Sequence, residues 1–191
     1  MSIIFDKNNK TFTLHTNSSS YQMQIDPYGF LLHLYYGRRT EGCMDYLLTY
    51  ADRGFSGNPY DTGVDRTYSM DALPQEFPHT GLGDYRNVAC TVVNADQSRC
   101  CDLRYAGHEI RKGKYALARL PAVYADEAEA ETLEIVLKDA VNQVEARLLY
   151  GVLPEADVIT RSVLIKNGGS DRIYLDKVMS ACLDFVAGDY D

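Results

Sequence analysis

TLEIVLKDAVNQVEARLLYGVLPEADVITRSVLIKN, residues 132–167, reads as three strands in succession. Leu133, Ile135 and Leu137 place an apolar side chain at every second position, Val144, Ala146, Leu148 and Tyr150 do the same, and Ile159, Val163 and Ile165 mark a third run. Asn167-Gly168-Gly169 closes the series with turn formers. Alternation at this spacing, broken by short turns, predicts an all-β chain built as a large antiparallel β-sandwich rather than an α/β fold.

The pattern extends in both directions. Phe12 and Leu14 share one face, as do Tyr21, Met23 and Ile25. Asp26-Pro27-Tyr28-Gly29 is a tight turn: Pro27 fixes φ, the Asp26 carboxylate accepts a local backbone bond, and Gly29 tolerates positive φ. Residues 30–36 resume as a strand ended by Gly37, with faces Phe30/Leu32/Leu34/Tyr36 and Leu31/His33/Tyr35 both largely apolar, which predicts a central or doubly covered position. Further strands are expected over 87–93, 99–110 and 173–183, and ADEAEAET at 125–132 reads as a solvated turn.

Residues 38–86 depart from this rhythm. Gly42, Gly54, Gly57, Pro59, Gly63, Pro74, Pro78, Gly81 and Gly83 break any regular element, while Tyr46, Tyr50, Phe55, Tyr60, Tyr68, Phe77 and Tyr85 are threaded between them. Large rings gain free energy only when buried, so the segment is expected to be an ordered excursion packed on the scaffold. Long connections are often functional, which makes this the first place to look for a site.

The chain has 191 residues, the size of one domain, with 27 acidic against 19 basic residues and a formal charge of -8. That balance argues against nucleic acid and anionic membranes as partners. No apolar run reaches the roughly 20 residues needed to span a bilayer, and MSIIFDKNNK lacks a signal-peptide stretch, so a cytoplasmic location is expected. The five cysteines repeat no ligand or disulfide spacing and read as buried thiols.

Generic chemical motifs fail one by one. GHEIRKGKY at 107–115 has five residues before its GK and then Tyr115, which is not a phosphate loop, and His108 is followed four residues later by Lys112, which is not a zinc helix. There is no G-x-S-x-G, and the four histidines read as packed or hydrogen-bonded side chains. No metal and no cofactor is expected. Carboxylates are plentiful in the excursion, at Asp52, Asp61, Asp65, Asp71, Glu76 and Asp84, but sequence separation does not establish a catalytic pair.

DRTYSMDALPQEFPHTGLGDYR at 65–86 contains the spacing S-x-D-x-L-P-x-E-F-P, then G-x-G-D-Y-R, carried by Ser69, Asp71, Leu73, Pro74, Glu76, Phe77, Pro78, Gly81, Gly83, Asp84, Tyr85 and Arg86. This resembles the amino-terminal domain of the α-galactosidases of glycoside hydrolase family 36. Further blocks resemble the same family in the same order: HLYYG at 33–37, Ile110 with Gly113-Lys114 and Leu120-Pro121, TLEI at 132–135 with Leu137 and Asp139, VITRS at 158–162, and Ser180 to Asp184.

The resemblance implies a supersandwich of the galactose mutarotase-like kind over residues 1–191, with 38–86 as a long loop within it. It implies a longer parent that hydrolyses terminal α-galactosides such as melibiose and raffinose with retention, using two aspartates of a catalytic barrel that follows this part. No catalytic residue is therefore assigned here. The barrel of the same polypeptide, further copies of the chain and, in the parent, an α-galactoside are the implied partners. In tetrameric relatives an amino-terminal loop helps to close a neighbour's sugar pocket, and Asp52, Phe55 and Tyr60 are the residues loosely matching that region. Glu76, Asp84, Arg86 and Arg161 are assigned structural roles, Arg86 as a fork for Glu76, Asp84 or another buried acid and Arg161 as an inward charge requiring a partner. A stand-alone carbohydrate-binding sandwich and a protein-interaction scaffold are the alternatives.

Overall fold

The computed structural model describes residues 2–54 and 57–184. Strands β1 (Ile3–Asp6), β2 (Thr11–His15), β3 (Ser19–Ile25) and β4 (Leu31–Arg38) form an antiparallel meander. β5 (Cys90–Val93) pairs with β10 (Tyr174–Val178), and β6 (Leu103–Lys112), β7 (Glu131–Asp139), β8 (Val144–Leu153) and β9 (Val158–Asn167) form a second meander. No α-helix occurs among the described residues.

The expected alternation decides how these sheets meet. Ile3, Phe12, Leu14, Met23 and Leu31 from the first sheet pack against Leu133, Ile135, Leu137, Val144, Ala146, Leu148 and Val152 from the second. All are buried in one apolar cluster, and each of them larger than Ala146 contributes about 1.5–3 kcal/mol when removed from water. The outward face of β7 and β8 instead carries ion pairs, with Glu134 between Arg111 at 3.1 Å and Arg147 at 2.8 Å. Alternation alone thus separates a dry face from a wet one.

β4 departs from simple alternation. Gln22 opposes Tyr35 while Met23 opposes His33, so Leu34 is an extra, bulged residue. The bulge puts Tyr36 on the same side as Leu31 and His33, against the Tyr21 ring at 5.7 Å, and so divides the expected two faces differently. β4 is covered on both faces, although it is the last strand of its sheet. Its outer face lies under a second apolar cluster of Phe30, Leu32, Tyr68, Met70 and Leu73. Its free edge is met by the excursion, through His33 N–H to the Pro74 carbonyl and Glu76 N–H to the Leu31 carbonyl.

Several expected boundaries shift for local reasons. Residue 89 bonds the Pro78 carbonyl and residue 101 the Thr80 carbonyl, so β5 and β6 begin later than periodicity suggests. The last strand stops at Val178: Met179 N–H still bonds the Ala89 carbonyl in register, but Ala89 N–H turns to the Pro78 carbonyl and does not return the bond. The connection between β6 and β7, residues 113–130, is a long, mostly exposed stretch rather than a short turn. Cys90 and Cys101 are buried thiols, but Cys43 and Cys182 are only partly covered and Cys100 is exposed beside Gly81.

Candidate functional site

The excursion between β4 and β5 has a buried root and an exposed tip. At the root, Pro74 halts regular structure and residues 75–77 run beside β4, with Leu32 and Gln75 forming an isolated bridge. This carries Glu76 into the space between the sheets, where it is fully buried. Tyr21 of β3 donates its hydroxyl to both carboxylate oxygens at 2.7 and 2.8 Å, and Tyr150 of β8 donates to Oε1 at 2.7 Å. His33 Nδ1 lies 3.2 Å from Oε2. Arg161 of β9 pairs with Oε1 through Nη1 and donates from Nη2 to the Glu76 carbonyl at 3.0 Å.

Burial alone pushes the Glu76 carboxyl up. The Arg161 charge and the hydrogen bonds from His33 and Tyr150 outweigh it and hold the group below its ordinary value. The carboxylate is therefore the acceptor that two tyrosines, a histidine and an arginine share. Burial, and then the carboxylate beside them, raises both tyrosine hydroxyls well above their usual range, so they remain donors. An ion pair this deep gains little net stability over apolar packing, but losing one partner strands the other charge. The cluster fixes the excursion to both sheets at once.

A second anchor lies on the return leg. Asp84 is buried, and Arg86 grips it with Nε to Oδ1 and Nη2 to Oδ2, both at 3.0 Å. The same guanidinium donates to the Met70 and Leu73 carbonyls at 2.9 and 2.8 Å and reaches Asp184 at 2.8 Å. Gln75 Nε2 supplies a further bond to Asp84 at 2.7 Å. Of the two acids named for Arg86 it takes Asp84, with Asp184 as a further, part-exposed partner; Glu76 belongs to Arg161.

The tip contrasts with both anchors. Asp52 is exposed and closes its own turn, with Oδ1 accepting the Gly54 N–H at 2.7 Å and Oδ2 3.3 Å from Arg66 Nε. The Gly54 N–H bond, aided by Arg66, holds the Asp52 carboxyl below its ordinary value. Asn58 Nδ2 ties the tip across to the Asp65 carbonyl at 2.8 Å. At the crossing of the two legs, Gly83 has φ +80° and a Cβ there would meet the Gly57 Cα at 2.8 Å, so only glycine fits. Tyr60, Val64 and Tyr85 stand 99%, 98% and 83% exposed. Tyr85, Val64, Asn58 and Arg66 help to border an open concavity of about 660 Å³.

The expected burial of the excursion's aromatics is therefore met by only two of the six described, Tyr50 also standing exposed. Tyr68 and Phe77 are buried and Tyr46, Tyr60 and Tyr85 are not, because the outer face of one strand has room for a small second core only. Of the three residues matched to a sugar-closing loop, Asp52 and Tyr60 lie on the exposed part and Phe55 lies outside the described residues. The six carboxylates singled out by sequence are each engaged by a donor of the chain itself: Asp52 by Arg66, Asp61 by Arg104, Asp65 by Thr67, Asp71 by Ser69, Glu76 by Arg161 and Asp84 by Arg86. Sequence reasoning missed Tyr21, Tyr150, His33 and Gln75 as members of the anchors. The signal was present in the tyrosines, since a hydroxyl on an inward face needs a buried acceptor.

Comparison with known proteins gives a consistent picture. The model of the glycosyl hydrolase family 36 N-terminal domain matches residues 29–191. The bifunctional alpha-galactosidase/sucrose kinase AgaSK of Mediterraneibacter gnavus is 62% identical over 191 residues, covering 100% of this chain and 20% of that protein. Alpha-galactosidase AgaA of Geobacillus stearothermophilus is 42% identical over 195 residues, covering 100% of this chain and 26% of its own. The solved galactosidase domain of AgaSK superposes with a TM-score of 0.95 at 62% identity, covering 97% of this chain and 26% of that one. A crystal structure of AgaA in complex with raffinose gives 0.89 at 42% identity, covering 95% and 25%. The chain thus spans between 20% and 26% of the length of these curated relatives.

Proposed function

Since the chain belongs to the glycosyl hydrolase family 36 N-terminal domain, we propose that it is the non-catalytic amino-terminal part of a longer α-galactosidase, and that residues 1–191 are an incomplete share of that protein's β-sandwich. The parent would cleave terminal α-galactosyl groups from oligosaccharides such as melibiose and raffinose. Retaining hydrolysis needs two carboxyl groups about 5–5.5 Å apart. The resemblance assigns that pair to a catalytic barrel, and the chain spans only 20–26% of its relatives' length, which leaves the pair to the remainder of the parent. The five free cysteines fit a reducing, cytoplasmic compartment.

The observation that carries a supporting role is the split between root and tip. A loop anchored by Glu76 and Asp84 yet exposing Asp52, Tyr60 and Tyr85 is built to present those groups to another surface. In an oligomeric parent that surface is a neighbouring subunit's sugar pocket. There Asp52 accepts hydroxyl hydrogen bonds, while an aromatic ring, Tyr60 or Phe55, covers an apolar sugar face.

Assays of the 191-residue chain and of the full polypeptide on melibiose and raffinose test this reading. The chain alone should be silent and the full polypeptide active. Asp52→Ala in the full polypeptide should lower kcat/KM by roughly ten- to a hundredfold with the oligomeric state unchanged by light scattering. Turnover by the isolated chain would overturn the non-catalytic assignment. Unchanged kinetics in the variant would leave the tip without a role at the sugar.

A further inference from the structure

The core stops abruptly at one strand. On β8 the inward residues Val144, Ala146, Leu148, Tyr150 and Val152 are all fully buried. Their direct neighbours on β9, Ile165, Val163, Arg161 and Ile159, are only partly buried. Adjacent strands lie about 4.8 Å apart, so the covering layer ends within a single strand spacing.

The hydrogen-bond parity of β9 shows where its unused groups point. Gly168 N–H bonds the Gln143 carbonyl, and the ten register pairs from Val144↔Asn167 to Leu153↔Val158 run without a shift. Alternate pairs in an antiparallel ladder exchange hydrogen bonds. Thr160, Ser162, Leu164 and Lys166 therefore bond β8, and Ile159, Arg161, Val163 and Ile165 direct their N–H and C=O groups away from it. Among the described residues β9 has no second strand partner. Its edge has no proline and no bulge, its one lysine lies next to the end, and its one inward charge, Arg161, is spent on Glu76. Natural edges are usually blunted by such devices.

We propose that β9 is an internal strand of the working protein, and that a strand of the same polypeptide from beyond residue 191 pairs with its free edge. This rests on the reading that the chain is part of a longer protein. The relatives are about four to five times as long as the matched region, enough to provide such a strand. The described chain also reaches its last residues on this side of the sandwich. Ala181 and Leu183 line a cavity of about 220 Å³ together with Ile159 and Arg161, leaving a short path to the β9 edge. Pairing there buries the exposed flank of Ile159, Val163 and Ile165.

Site-resolved amide exchange tests the pairing without altering the sequence. In the 191-residue chain, Thr160, Ser162 and Leu164 should exchange slowly and Arg161, Val163 and Ile165 fast. In the full polypeptide the second set should slow by at least about a hundredfold. If that set stays fast in the full polypeptide, the proposal falls. Protection that appears in the isolated chain and grows with its concentration would assign the edge to a second copy and overturn it too. α-Galactosidase activity of the same full-length sample separates this outcome from the broader reading: an active protein with fast edge amides loses only the strand pairing, and an inactive one with slow edge amides loses only the assigned reaction.

Discussion

Glu76 and Asp52 are carboxylates of one excursion, and the protein treats them in opposite ways. Glu76 is fully buried with Tyr21, Tyr150, His33 and Arg161 around it, whereas Asp52 lies in water beside Gly54 and Arg66. The root uses its charge to fix geometry: every acceptor position is taken by a group from a strand. The tip leaves acceptor capacity and aromatic surface unused. A buried, fully partnered acid marks architecture, and an exposed acid on a loop so anchored marks a surface offered to something else.

The sharpest way to break this contrast is to remove the buried charge. Glu76→Gln leaves Arg161 without a counter-ion in a nearly dry setting, and losing one partner of such a pair costs about 3–5 kcal/mol. For a chain of this size, that corresponds to a fall in Tm of about 6–20 °C. Thermal unfolding followed by circular dichroism measures it. A fall corresponding to less than about 1 kcal/mol would show that the root is not held by this charge.

Acid should act on the buried part and spare the tip. His79 is buried at the root, with Nε2 accepting the Leu103 N–H at 3.1 Å and Nδ1 lying 3.1 Å from the Phe77 carbonyl. Burial holds its pKa below the ordinary 6.5 despite the bond to Phe77. Below about 6.5 the unfolded chain therefore binds the proton that the folded ring refuses, and stability falls with pH by up to about 1.4 kcal/mol per unit.

Asp26, in the turn before β4, works in the opposite sense. Burial pushes its carboxyl from 3.8 up to about 6, so the folded state holds more protons between those values and gains stability as pH falls through them. Asp26→Asn should therefore steepen the loss of stability between pH 7 and pH 5, as read from urea midpoints. Parallel curves for wild type and variant would refute the assignment. The Asp52 and Asp65 carboxyls, held low by local hydrogen bonds, should not titrate in this window.

The smallest effect should come from the tip. Asp52→Ala in the 191-residue chain removes one turn bond and one exposed ion pair, and should leave Tm within about 2 °C of wild type. A larger fall would mean that the tip is part of the architecture and would remove the distinction drawn above.

Much of the scaffold was legible because alternation is a local property. Every second residue of β7, β8 and β9 faces one way whatever the rest of the chain does, and the same alternation along the chain gave the all-β sandwich. The resemblance at 65–86 likewise marked Glu76, Asp84 and Arg86 as structural residues. Three-dimensional pairing was not legible. By sequence Arg86 could take Glu76, Asp84 or another buried acid; it takes Asp84, two residues away, together with Asp184, while Glu76 is drawn inward to Arg161, 85 residues on.

The bulge at Leu34, which turns Tyr36 towards Tyr21, leaves no periodic trace within its own strand, because it is an offset against β3. Nor could composition tell Tyr68 from Tyr60; one lies under the excursion's small core and the other in water. Sequence determines which face a residue occupies within its own element, since that depends on neighbours one and two bonds along the chain. Which charge meets which, and which ring is covered, depends on elements far apart in sequence being brought to one place. Only the packed structure sets those distances.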